Sequence, residues 1–94
     1  MFEWDESKRE QVIKEHKVDF VRMTDIFDDP FALHIEDFEH STETETRFNV
    51  IGKTASYGFI FAAYLYIENG IHLITARRAE RWMVKEYEKR RKRL

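Results

Sequence analysis

The sequence contains no cysteine, one proline and three glycines in 94 residues. Without cysteine there is no disulfide framework, no thiolate metal site and no thiol nucleophile, a composition that suits a reducing compartment. The glycines stand alone at Gly52, Gly58 and Gly70, so the chain has no glycine-rich phosphate loop and no nucleophile elbow. Long apolar runs are missing too. The longest uncharged stretch, Thr54 to Ile67, has 14 residues, whereas a spanning helix needs about 20. Neither a membrane span nor a signal peptide is expected, and the cytoplasm is the expected location. His16, His34, His40 and His72 show no metal-ligand spacing, so no metal and no cofactor is expected. What the chain does have is 8 Phe, 4 Tyr and 2 Trp, enough bulk to fill the core of one compact domain over residues 1–94.

The formal net charge of −2 hides an asymmetry. Ala76 to Leu94 carries nine basic and three acidic residues, a surplus of 6 positive charges, while the remainder is 8 units negative. Between Thr24 and Thr46 there are eight carboxylates and no Lys or Arg. Such a dipolar chain suits an anionic ligand at one end and a cationic partner at the other; the plainer alternative is a surface charged only for solubility.

Hydrophobic periodicity and turn chemistry predict an α+β domain with two N-terminal helices, a four-stranded, mainly antiparallel sheet and a C-terminal helix. Asp5 is placed to cap a first helix through about Glu15, with Val12, Ile13 and His16 on one face. A second short helix is predicted from Asp19, with Phe20, Met23 and Phe27 inward, ending before Asp28-Asp29-Pro30. Phe31, Leu33 and Ile35 alternate with Ala32, His34 and Glu36 as a half-buried strand. Arg47 to Lys53 reads as the second strand, and Gly58 to Ile67, apolar throughout, as a central one covered on both faces. Asn69-Gly70 signals a type I′ hairpin into a fourth strand, Ile71 to about Ala76. The last helix is predicted from about Ala79, with Ala79, Trp82, Met83 and Tyr87 inward and a basic tail over about 85–94.

Chemistry is sought first at Arg77-Arg78, where the last strand meets the last helix, with Arg81 one turn on. Guanidinium groups bind phosphate through paired hydrogen bonds and stay charged. Cations at a helix N-terminus oppose its dipole, so their presence there points to a ligand more than to stability. Arg47 is either a second phosphate clamp or a local partner of Glu45. Lys14 and Lys17 flank His16 at the end of the first helix, where cations suit the dipole. His16 is either a proton carrier or a packed residue. Among Tyr57, Tyr64 and Tyr66, aromatic stacking on bases competes with burial in the core, and Tyr66 is taken as the base-binding candidate.

The chain resembles the BrnT toxins, ribonucleases of bacterial type II toxin-antitoxin systems with a RelE-like fold. The resemblance rests on Phe2-Glu3-Trp4-Asp5-Glu6 with Lys8, Glu15-His16 followed by Val18-Asp19-Phe20, Phe27-Asp28-Asp29-Pro30, and His40-Ser41 with Glu45. Arg47-Phe48, Ile51-Gly52, Ile74 to Ala79 and Glu86-Tyr87-Glu88 continue it in order to residue 88. It implies an enzyme that inhibits growth by cutting RNA, a cognate BrnA-like antitoxin, and contact with operator DNA only through that antitoxin. It also marks Arg77 and Arg78 as the leading active-site candidates, followed by Arg47 and the His16 region. Two positions depart from the family pattern. Lys17 stands where glycine commonly follows the histidine, and Trp82, Met83 and Val84 stand where many members carry further arginines.

The resulting expectation is a metal-independent endoribonuclease in which the RNA 2′-hydroxyl attacks the adjacent phosphodiester. Arg77, Arg78, Arg47 and His16 form its catalytic set, and Lys14, Lys17, Arg81 and Tyr66 bind substrate. A non-catalytic nucleic-acid binder and a purely protein-binding module remain as alternatives.

Overall fold

The computed structural model of the chain describes residues 1–93; Leu94, the last residue of the expected tail, lies outside them. The elements run β1 (Phe2–Glu3), α1 (Glu6–His16), two 3-10 turns (Phe20–Arg22 and Thr24–Asp28), β2 (Leu33–Glu36), β3 (Arg47–Thr54), β4 (Gly58–Ile67), β5 (Gly70–Arg78) and α2 (Arg81–Arg93). The sheet has five strands in the order β1-β5-β4-β3-β2. Strands β2 to β5 form the predicted antiparallel meander, and β4 lies at its centre.

The fifth strand corrects the four-strand expectation. Phe2 and Glu3 pair in parallel with Ile71 and His72, and the Met1 carbonyl accepts from the Ile71 N–H at 2.9 Å. Two residues are too few to show alternation, so periodicity cannot reveal such a strand. The hairpin expectation shifts for the same reason. Ile67 pairs with Gly70, so Glu68-Asn69 makes the turn, and no residue there has positive φ. Gly70 opens β5 instead, because a Cβ on it would overlap the Met1 backbone.

The predicted second helix is two 3-10 turns. The buried residues of this segment are Phe20, Met23 and Ile26, spaced by three. That spacing matches three residues per turn better than the 3.6 of an α-helix. Asp19 caps the first turn by accepting from the Val21 N–H at 3.1 Å. Asp5 caps α1 as expected, accepting from the Ser7 N–H at 2.9 Å.

The sheet is covered unequally on its two faces. One face carries Val50, Ile60, Ala62, Tyr64, Leu73 and Ala76 and receives Val12 of α1 together with Val18, Phe20, Met23 and Ile26. The other carries Ile51, Phe59 and Phe61 and receives Met83 and Tyr87 of α2. In β2 this division reverses the expected polarity: Ala32, just before the strand, is buried, while Ile35 is 51% exposed. Trp82 also departs from the expected inward stripe of α2. It is 57% exposed, and its indole N–H donates to Glu80 Oε2 at 2.8 Å. The anchor of α2 is Tyr87, packed edge-on against Phe59 with centroids 5.0 Å apart, its hydroxyl donating to Asp29 Oδ2 at 2.8 Å.

Candidate active site

Arg77 and Arg78 are the last two residues of β5, and strand alternation sends their side chains to opposite faces of the sheet. On the α2 face, the Arg77 guanidinium lies 4.7 Å from the centroid of the Phe61 ring and donates to Glu80 Oε1 at 3.1 Å. On the α1 face, Arg78 donates to the Tyr57 carbonyl at 3.0 Å and lies 5.6 Å from the Tyr57 ring centroid. Arg78 is exposed, and this is its sole hydrogen bond to protein among the described residues. Its remaining N–H donors therefore face solvent in a fixed orientation, the condition for binding an oxyanion without reorganisation.

Tyr57 is itself held from three sides. Thr54 Oγ1 accepts from the Tyr57 N–H at 3.1 Å and donates to the Gly58 carbonyl at 2.9 Å, closing the β3–β4 turn. The Asp19 N–H donates to the Tyr57 hydroxyl oxygen at 3.1 Å. Asp19 in turn grips Arg9 of α1 through two bonds of 2.9 and 3.0 Å, and Glu6 takes a third Arg9 donor at 3.0 Å. The Arg9 hydrogen bonds hold the Asp19 carboxyl below its ordinary pKa despite partial burial, and the same contacts raise the Arg9 pKa. A continuous run of contacts thus leads from α1 through Asp19 and Tyr57 to Arg78.

The end of α1 lies on this face, three residues before Asp19. Lys17 takes the left-handed conformation, φ 58°, and its N–H donates to the Ile13 carbonyl at 3.0 Å. It thus closes the helix in the conformation that glycine adopts without steric penalty. Its Nζ donates to the Lys14 carbonyl at 3.2 Å, while the Lys14 side chain is exposed. His16 stands 3.9 Å from Glu15, and no hydrogen bond or ion pair joins it to either arginine among the described residues. Arg81, exposed, begins α2 directly beyond the arginine pair.

Arg47 and Tyr66 are elsewhere. Arg47 pairs with Leu65 at the opposite end of β4 from Phe61, the neighbour of Arg77. Four rungs separate them, about 13 Å along the strands. The Arg47 Nε donates to Glu45 Oε1 at 3.3 Å, the local pairing that its position allowed. Tyr66 is 62% exposed on the face opposite Arg47, with its ring edge-on to Phe48 and Tyr64 at 5.4 and 5.5 Å. The histidines do not converge. His34 meets Tyr64, His40 meets Asp37 and His72 meets Glu3. No group of three or more His, Asp or Glu is gathered among the described residues, and none of the described helices is long and apolar enough to cross a membrane.

In the sequence Tyr57 stands only as one of three tyrosines divided between base stacking and the core. The signal that finds it is topological: in an antiparallel meander, the turn between β3 and β4 lies beside the end of β5, where the arginines are.

Comparison with curated proteins gives no match. The family described as "Ribonuclease toxin, BrnT, of type II toxin-antitoxin system" matches residues 4–82, a span that includes Arg9, Asp19, Tyr57, Arg77 and Arg78. The chain belongs to the BrnT family of ribonuclease toxins of type II toxin-antitoxin systems.

Proposed function

We propose that this chain cleaves RNA without a metal ion, at a phosphodiester held by Arg78 and Arg77, and that an antitoxin neutralises it. The observation that carries the reading is the Arg78 guanidinium, fixed by the Tyr57 carbonyl and ring with its other donors open to solvent. RNA brings its own nucleophile. The 2′-hydroxyl attacks the adjacent phosphorus, the bond to the 5′ oxygen breaks, and a 2′,3′-cyclic phosphate and a free 5′-hydroxyl result. The protein must orient the reacting groups, stabilise charge on the phosphoryl oxygens and move two protons.

Arg78 and Arg77 clamp the non-bridging oxygens from two sides of the sheet rim, and Tyr57 positions Arg78. His16 serves as proton carrier from the end of α1. Lys14, Lys17 and Arg81 contact neighbouring phosphates. Arg47 and Tyr66, at the far end of β4, contact flanking nucleotides rather than the scissile one. Glu80 is engaged by Arg77 at 3.1 Å, and no acid or base pairs with Arg78 among the described residues, an arrangement that fits a slow nuclease acting on well-positioned substrate.

The test is to incubate the purified chain, free of any partner, with total RNA in EDTA. Cleavage to 2′,3′-cyclic phosphate ends supports the reading. A salt-sensitive mobility shift without cleavage would replace it with a nucleic-acid binder, and neither effect would leave a protein-binding module.

A further inference from the structure

Strand β2 is the outermost strand on its side of the sheet, and nothing pairs with its outer edge among the described residues. The Asp37 N–H donates inward to the Arg47 carbonyl at 2.8 Å, which fixes the phase of the ladder. Leu33 and Ile35 therefore turn their backbone groups toward β3, and His34 and Glu36 turn theirs outward. An open edge of this kind is a template for another strand.

The side chains around the edge differ by face. On the α2 face, Leu33 and Ile35 border a groove of about 370 Å³ whose other walls include Asn49, Ile51, Phe61 and Trp82. Ile35, Trp82 and the nearby Phe38 are 51%, 57% and 79% exposed. On the other face lies Glu36; Glu39 and Glu43 follow in the loop after the strand, and none of these three forms an ion pair among the described residues. Acidic residues alone would be an ordinary guard against edge-to-edge aggregation. Apolar side chains left open beside the same edge oppose that purpose and need a cover of their own.

We propose that the outer edge of β2 receives an extended basic segment of a second protein, adding a sixth strand to the sheet. Alternate residues of that strand fall on the two faces. Those on the α2 face are apolar and enter the groove beside Trp82, and those on the other face are cationic and meet Glu36, with the loop carboxylates Glu39 and Glu43 at the strand's end. The charge pattern decides the occupant. At the Glu36 end like charge repels a second copy of this edge and repels RNA, while the cations of α2, Lys89, Arg90 and Arg93, lie by Leu33 at the other end of the strand. The partner is the antitoxin of the reading above, and on that reading the identification rests.

The probe is a synthetic octapeptide of alternating lysine and valine, added to the full chain while backbone amide exchange is followed by NMR. We expect exchange at His34 and Glu36 to slow at least tenfold, and binding to weaken severalfold between 50 and 300 mM salt (about one Debye-length halving). Glu36→Pro removes an outward donor while sparing the bonds to β3, a position that tolerates proline. It should weaken peptide binding at least tenfold and leave RNA cleavage within about twofold. If that variant fails to fold, Glu36→Lys should weaken binding by charge alone. No peptide binding, protection at other amides, or undiminished binding by the variants would overturn the proposal. So would protection of His34 and Glu36 by an RNA oligonucleotide, or by concentration-dependent self-association without peptide. Peptide binding by a chain that cuts no RNA would uphold the docking edge and sink the activity; cleavage by a chain that ignores the peptide would do the reverse.

Discussion

Replacing Arg78 by alanine should separate catalysis from folding. In the folded chain Arg78 makes one hydrogen bond, to the Tyr57 carbonyl at 3.0 Å, and one stacking contact with the Tyr57 ring. The first contributes about 0.5 to 1.5 kcal/mol and the second, at an exposed site, about 0.5 to 1 kcal/mol. A domain of this size loses roughly 4 to 8 °C in melting temperature per kcal/mol, so Arg78→Ala should remain folded at 25 °C. Loss of one preorganised donor from an oxyanion site, in contrast, costs about 10² to 10³ in rate. Single-turnover cleavage of a short RNA, measured with thermal unfolding, reads both quantities on one sample. Arg77→Ala should lose less activity, because that guanidinium already serves Glu80 and stacks on Phe61. Arg78→Lys should recover only part of the rate, since lysine lacks the planar fork. Tyr57→Phe keeps both the carbonyl and the ring, and should slow cleavage by only about threefold to tenfold, less than the loss of the Arg78 donor itself. Parental cleavage by both alanine variants would refute the assignment and leave the pair a structural feature.

Other perturbations follow from the packing and the charge. Tyr87→Phe deletes a bond to a charged acceptor and should cost about 1.5 to 3 kcal/mol, visible in urea unfolding; Asp29→Asn should cost at least as much, since Asp29 also accepts from the N–H groups of Lys53 and Phe31. Burial alone would raise the Asp29 pKa, but those donors outweigh it and hold it low. Its contribution is thus complete above the ordinary value of 3.8 and is lost as pH falls through the lower folded value, so Asp29→Asn should flatten the acid limb of the stability curve. His34 is depressed below 6.5 by burial and by the Arg90 charge; its neutral form should favour the fold above that value and lose its contribution as pH falls through the folded value, a slope that His34→Asn removes. Lys17→Gly should raise the melting point by relieving the φ of 58°, a gain of about 1 kcal/mol. Deleting residues 90–94 should weaken RNA binding for all sequences alike and flatten its salt dependence without changing the cleavage pattern.

Where the sequence was legible, one local rule and the tertiary structure agreed. Alternation and continuous hydrophobicity placed β3 and β4, and the order of β2 to β5 followed from short connections. The Asp5 cap located α1 to within a residue. Errors arose where a neighbour outside the local window set the requirement. Gly70 resembles a turn residue, but the Met1 backbone is what excludes a side chain there. Phe20, Met23 and Phe27 fit a helical stripe, yet Ile26 is the buried member because the segment winds with three residues per turn. In the candidate site, alternation alone put Arg77 and Arg78 on opposite faces. The neighbour that fixes Arg78 was not legible, because Tyr57 is 21 residues away and its backbone carbonyl carries no signature in side-chain chemistry.

The pairing of β1 with β5 has a temporal consequence. Glu3 and His72 are 69 residues apart and meet across a 2.6 Å contact, so the first strand made by the ribosome has no partner until the last one emerges. Contacts of such separation form late, after the loop between them has closed. Arg77 and Arg78 end the same β5 that β1 waits for. Locking of the N-terminus and completion of the arginine pair therefore belong to one late step in the life of each molecule. A nascent chain, or one broken off before β5, has neither a closed sheet nor a pair of guanidinium groups to present to RNA. On the proposed reading, the cleaving rim is assembled only when the sheet is closed at both ends of its chain order.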